Sequence, residues 1–327
     1  MSICRYDVPL QEFYDNGPTR RTAVLGGLGF MGKTITLTTA NPKVCIFSKH
    51  LQFLSGDELA STAADIGFDG IDVTVRSGGH VEPARVAEDL PALVSLIRRH
   101  GLEVPMVTTD IVDADSANAR TVLKAIADLG IRRYRWGGFK YRADQPLERQ
   151  FEELRGRARK LADLNREYKI CAMYHTHSGV DLVGAPVWDI FEVLKNLDPN
   201  AVGINYDVGH ATVEGGLGGW IDSFRFATSH IRGLAFKDFF WRKGRKEAWE
   251  PEWVPLGEGM VRFPAFLSLV KHSGFDGPIQ LHFEYPLGGA DAGKRQLTID
   301  RRQVFAAMRR DLGTLRRYFR DAGLANG

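Results

Sequence analysis

Imidazoles, carboxylates and a lysine recur at the ends of short apolar runs in this chain. His175 and His177 follow ICAMY, Asp207 follows GINY with His210 just after, and Lys237 and Asp238 follow LAF. His282 and Glu284 flank Phe283. Neutral imidazole and ionised carboxylate coexist at pH 7, and together they bind divalent ions such as Zn2+, Mn2+ or Mg2+. The same groups move protons to and from carbon or oxygen. Residues two apart on a strand share a face, so His175 pairs with His177 and His282 with Glu284. We therefore expect a metal shell of His175, Asp207, His282 and Glu284. Glu284, His175 and Lys237 are the expected proton-handling groups. His50, Arg76, Trp136, His177 and His210, also at run ends or just after, are the expected substrate contacts. Plainer roles stand beside these. His177 could serve a loop, Asp207 or Asp238 could cap a following helix, and His100, His230 and His272 read as structural.

Such groups need elements that bring them to one place. The apolar runs Val44–Phe47, Gly70–Val75, Glu103–Thr108, Tyr134–Trp136, Ile170–Tyr174, Val202–Tyr206, Ile231–Phe236 and Pro278–Phe283 read as strands. They are short and continuous, as strands covered on both faces are. Amphipathic helix-length segments separate them, over Asp57–Ile66, Val86–His100, Ala117–Leu129, Pro146–Arg166, Trp188–Leu197, Gly219–Ala227, Pro264–His272 and Arg301–Phe319. Eight such units with right-handed crossovers close into a (β/α)8 TIM barrel, an α/β fold. An open doubly wound sheet is the competitor, but no G-x-G-x-x-G turn follows the first strand. In a barrel, the C-terminal strand ends share one mouth, which is where the polar residues named above fall.

Composition agrees with this and removes other classes. The chain has 327 residues, 44% hydrophobic and 25% charged, which is a globular and not a disordered make-up. Its net charge is only +3 and it has no long basic run, so nucleic acid is not an expected partner. The barrel occupies 41–327 as one domain, after a leader over 1–40. In that leader Arg20 and Arg21 precede an apolar stretch from Ala23 to Met31, and small residues end at Ala40. This is the layout of a twin-arginine-like export signal, so a periplasmic protein is expected. The apolar stretch is too short to span a bilayer, and no membrane insertion is expected after processing. Of three cysteines, Cys4 lies in the leader, while Cys45 and Cys171 sit in apolar runs as core residues without a disulfide. A homo-oligomer is left open.

YHTHSG from Tyr174, NYDVGH from Asn205, LAFKDF from Leu234, PLGEGMV from Pro255 and LHFEYP from Leu281 occur in this order on successive units. Together they resemble the sugar phosphate isomerase/epimerase family of xylose-isomerase-like TIM barrels, over roughly residues 43–323. That family includes ketose 3-epimerases, hydroxypyruvate isomerase and inosose dehydratase. The resemblance implies a divalent ion held by Glu, Asp, His and Glu at the ends of strands five to eight, with the two glutamates as acid and base. Carried over, these positions are His175, Asp207, Ala235 and Glu284, and the histidine after the Asp is His210. One ligand is thus replaced and one is lost. His282 could supply the missing imidazole. Alternatively Lys237 and Glu284 transfer protons without metal, or the barrel only binds. The resemblance implies a metal-dependent sugar isomerase or epimerase working through an enediolate. The alternatives are a lyase or hydratase on an oxidised (3-keto) sugar or glycoside, a noncatalytic carbohydrate-binding barrel and, more remotely, a nuclease. The expected partner is a small sugar or glycoside. Tryptophans 136, 241, 249 and 253 could stack on it.

Overall fold

A computed structural model describes residues 42–244 and 247–325. Residues 1–40, with the expected leader and export signal and Cys4, lie outside them. Eight parallel strands close a barrel: β1 (Val44–Phe47), β2 (Gly70–Val75), β3 (Val107–Thr109), β4 (Arg133–Trp136), β5 (Cys171–His175), β6 (Val202–Asp207), β7 (Ile231–Phe236) and β10 (Ile279–Leu281). The first strand pairs with the last, Val44 opposite Ile279, so the barrel has no open edge. The (β/α)8 expectation is met. Strand three is shorter than expected because Pro105 has no N–H to give a ladder.

Helices alternate with the strands: α1 (Gly56–Ile66), α2 (Val86–Arg99), α3 (Ala119–Asp128), α4 (Leu147–Tyr168), α5 (Trp188–Leu194), α6 (Val208–Gly215), α7 (Gly219–Ala227), α8 (Phe263–Ser273) and α9 (Arg301–Asp321). None among the described residues is long and apolar enough to cross a membrane. The apolar core lies between strands and helices. There Tyr206 stacks on Phe266 at 5.8 Å, and Phe224 meets both rings edge-on. Cys45 and Cys171 are buried and unpaired, as expected, and burial pushes both thiols up, Cys171 to about 12.

Two features of the mouth add to the expected strands and helices, the first of them at the place where Asp207 was weighed as a helix cap. A helix, α6, starts directly at the end of β6. Asp207 caps it, its Oδ1 accepting from the His210 N–H at 3.0 Å. The excursion after β7 is an antiparallel hairpin of β8 (Asp238–Lys243) and β9 (Trp249–Val254). Its anchor is the Asp238 carboxylate, which accepts from the backbone N–H groups of Phe239, Gly257, Gly259 and Val261. Residue 259 must be glycine, because a Cβ there would lie 2.2 Å from Asp238 Oδ1.

Candidate active site

The ends of β5, β6, β7 and β10 stand side by side, and their registers set the site. His175 lies opposite Asn205, Asp207 opposite Ala235, and Ala235 opposite Gln280. One residue beyond β7 is Lys237, and one beyond β10 is His282. The buried Lys237 ammonium donates to Glu284 Oε2 at 2.8 Å and to His210 Nε2 at 2.5 Å. It also lies 3.3 Å from Asp207 Oδ2, off the line of a hydrogen bond. His175 Nε2 is 3.5 Å from that oxygen, and His282 Nδ1 is 3.8 Å from it and from Glu284 Oε1. His210 accepts the lysine proton, so its Nδ1 carries hydrogen and donates to Ser178 Oγ at 2.8 Å. Gly209 leaves room for this arrangement, since a Cβ there would come within 2.7 Å of the Lys237 stem.

Asp207 therefore does two things at once, capping α6 with Oδ1 and facing the site with Oδ2. That oxygen and both ring nitrogens of His282 are buried without a hydrogen-bond partner. Unpaired buried polar atoms are rare and point to a missing partner. Donor atoms of His175, Asp207 and His282 lie within 4.8 Å of one another, as do those of His175, His177 and His210. The orphaned atoms of Asp207 and His282 fit a divalent cation. Ala235, where the resemblance places an imidazole, is fully buried and offers no ligand. His282 on the neighbouring strand brings its ring to 5.3 Å from His175.

The electrostatics divide cleanly. Burial keeps His175, His210 and His282 neutral, well below the ordinary imidazole range. His177 is held near 3 by burial and the Arg135 guanidinium. Burial pushes Asp207 up to about 6 in spite of Lys237. Burial, the largest single influence, would raise Glu284, but the Lys237 charge and hydrogen bond together with the His282 and His210 rings hold this carboxyl well below its usual range. Glu284 is thus an ionised base next to a fixed cation, ringed by neutral imidazoles.

The other expected contacts divide between the site and its supports. His177 joins the cluster, its Nε2 accepting from Arg135 Nη2 at 3.1 Å. His50 lies beside His282, but both its nitrogens are used. Nδ1 donates to the Ala290 carbonyl and Nε2 accepts from the Phe283 N–H. It ties the loops after β1 and β10 together. Arg76 lies over the Phe47 ring at 5.6 Å. Trp136 is a correction: it packs edge-on against Phe139 and Tyr174 in the layer between strands and helices and is 1% exposed. Alternation along β4 turns Trp136 outward and its neighbour Arg135 inward. Arg135, Asp72 and Gln280 are interior groups that the sequence reading passed over. The period of two in β4 was the signal for Arg135. Of the hairpin tryptophans, Trp253 caps the site, with Lys237 Nζ 4.2 Å from its ring centre and His210 edge-on at 5.0 Å. Trp249 is 61% exposed.

The chain belongs to the Xylose isomerase-like TIM barrel family, whose profile matches residues 60–304. Comparison with curated proteins gave no match. Among solved structures, the fold is similar to that of the IolI protein with a bound zinc atom (TM-score 0.66, 14% identity, 85% of this chain and 99% of that one). It is similar to a D-tagatose 3-epimerase-like protein (TM-score 0.64, 15% identity, 86% and 98%). It is also similar to the 3-keto-D-glucoside 4-epimerase YcjR of E. coli (TM-score 0.59, 14% identity, 84% and 99%).

Proposed function

We propose that this protein is a carbohydrate isomerase or epimerase that moves a proton next to a carbonyl through an enediolate. The observation that carries the reading is the pair of buried Lys237 and half-buried Glu284 at the barrel mouth, with Asp207 and neutral imidazoles around it. Glu284 takes the proton from the carbon beside the carbonyl. It is ionised because Lys237 holds it so, and its Oε1 stays free of the lysine. The Lys237 charge then stabilises the oxyanion that develops, in a site from which Trp253 helps exclude water. Return of the proton to the opposite face gives epimerisation, and return to the neighbouring carbon gives isomerisation. Asp207 and His282 would hold a divalent ion of the Zn2+, Mn2+ or Mg2+ class, which supplies Lewis-acid polarisation of the sugar oxygens. Exposed neutral sugars, glycosides or 3-keto sugars suit an exported enzyme. Export through residues 1–40 is part of the proposal and is supported by the Arg20–Arg21 layout. A full-length product confined to the cytoplasm on cell fractionation would remove that part.

The test is NMR of free sugars and 3-keto glycosides incubated with the protein in D2O. Deuterium at one carbon with all oxygens retained is expected, and it should vanish in Glu284→Gln. Binding without exchange or turnover would leave only a carbohydrate-binding barrel. A second reading, a lyase or hydratase, is favoured by one observation. His175 stands where the resemblance expects the first of two glutamates, so the two ends of the proton path are chemically unlike. Loss of water or an alcohol from the substrate in the same spectra identifies it.

A further inference from the structure

Below the site, a file of polar side chains crosses the barrel interior. Asp72 on β2 is fully buried, and its Oδ2 accepts from Thr108 Oγ1 at 2.7 Å and from the Gln280 side-chain amide. Gln280 Oε1 accepts from Asn205 Nδ2, and Asn205 Nδ2 also reaches His175 Nδ1 at 3.0 Å. Every member is buried.

The direction of this file follows from its far end. Asp72 Oδ2 takes two donors, so Gln280 turns its NH2 to Asp72 and its oxygen to Asn205. Asn205 must then answer with its own NH2, whose second hydrogen goes to His175. Nδ1 of His175 is therefore an acceptor, and the neutral ring carries its hydrogen on Nε2. The direction is the same with Asp72 ionised or with a proton on its unpartnered Oδ1. Two further observations agree. Asn205 Oδ1 faces Gly233, where a Cβ would lie 2.7 Å from it. The opposite amide orientation would strand N–H donors there, which is rarer than an unpaired oxygen. And His175 Nε2 lies 3.5 Å from Asp207 Oδ2, beyond a formed hydrogen bond, where a hydrogen faces the carboxylate's negative charge and a lone pair would face another lone pair.

We propose that Asp72, Gln280 and Asn205 are positioning residues that fix the hydrogen of His175 on Nε2. In that tautomer the site-facing nitrogen has no lone pair for a metal. His175 is then a proton donor at the mouth, opposite Glu284 in role, and an ion would rest on Asp207 and His282 without it. The catalytic half of this statement rests on the proton-transfer reading above, whereas the tautomer does not.

The experiment is long-range proton–nitrogen correlation NMR of the 15N-labelled full chain, with His175 assigned by comparison with His175→Gln. The expected wild-type pattern is a pyridine-type Nδ1 and a pyrrole-type Nε2. In Asn205→Asp, a carboxylate meets Nδ1, and the two shifts should exchange places. The same variant frees a lone pair on Nε2, so its affinity for Zn2+ alone, measured by competition with a chromophoric chelator, should rise about tenfold or more. A pyrrole-type Nδ1 in the wild type overturns the proposal. So does an unchanged tautomer in a folded Asn205→Asp variant. The wild-type spectrum decides the matter even where the variant fails to fold. Sugar exchange in D2O reads the proton-transfer reaction separately, so an Nε2-protonated His175 in a protein without exchange leaves the tautomer standing and removes only the catalytic role.

Discussion

Lys237 supplies the cation for two carboxylates, one of them, Asp207, wholly buried. Lys237→Met keeps the length of the stem and removes the charge. The carboxylates are then left facing each other without compensation, and a loss of about 3 kcal/mol is expected, seen as a lower midpoint in urea. Added Zn2+ should restore part of that loss, because it takes the same oxygen. Asp72 makes a pH prediction. Burial pushes its pKa up to about 7, against about 3.9 for an unfolded aspartate. Between those values the folded chain holds a proton that the unfolded chain has released. Its contribution to stability is therefore full below about pH 4 and falls as pH rises to about 7. Asp72→Asn removes this slope. Urea midpoints at a series of pH values should show the variant gaining on wild type as pH rises, and parallel curves would contradict it. At this scale the ligand-type residues were legible because they sit at run ends. Asp72, Gln280 and Arg135 were not, since they lie within strands and reveal themselves only when those strands converge in the barrel. Trp136 misled because one residue along a strand reverses the face.

The element that decides access is the β8–β9 hairpin. Its three tryptophans differ by position: Trp241 lies edge-on to Phe239, Trp249 is exposed, and Trp253 covers the Lys237 ammonium. Trp253→Ala should raise KM for sugar more than it changes kcat and should abolish sugar-induced quenching of tryptophan fluorescence. Trp249→Ala should change neither. Equal effects of both variants would mean the hairpin acts as a whole and not through the ring over the site. The sequence carried the tryptophans and the PLGEG turn, but not the hairpin, whose pairing depends on Asp238 gathering three backbone N–H groups, of Gly257, Gly259 and Val261, from a loop some twenty residues on. Of helix α6 only the candidate cap, Asp207, was legible, and its extent was not, for a related reason. It is short, lacks a clear apolar stripe and owes its start to a side chain that also faces the site.

At the scale of the whole chain, the eightfold alternation was the most legible feature, because each unit repeats the same pattern of buried strand and amphipathic helix. Among the described residues the barrel closes on itself, with β1 and β10 paired. A chain of residues 41–327 should therefore fold and melt, by circular dichroism, within a few degrees of the full chain. A large drop would show that residues 1–40 contribute to the barrel.

The polar file beneath the site also bears on how the barrel comes to be made. Asp72 and its partner Gln280 are 208 residues apart, and Gln280 and Asn205 are 75 apart. Gln280 arrives on the last strand. Until β10 is in place, closing the first seven strands around Asp72 and Asn205 would bury them with one hydrogen bond each, to Thr108 and His175, but without the Gln280 amide that joins them, and that is disfavoured. The interior thus rewards only the finished ring. A nascent chain completes this network only when its last strand arrives, through contacts among the most distant in its sequence and so the slowest to form.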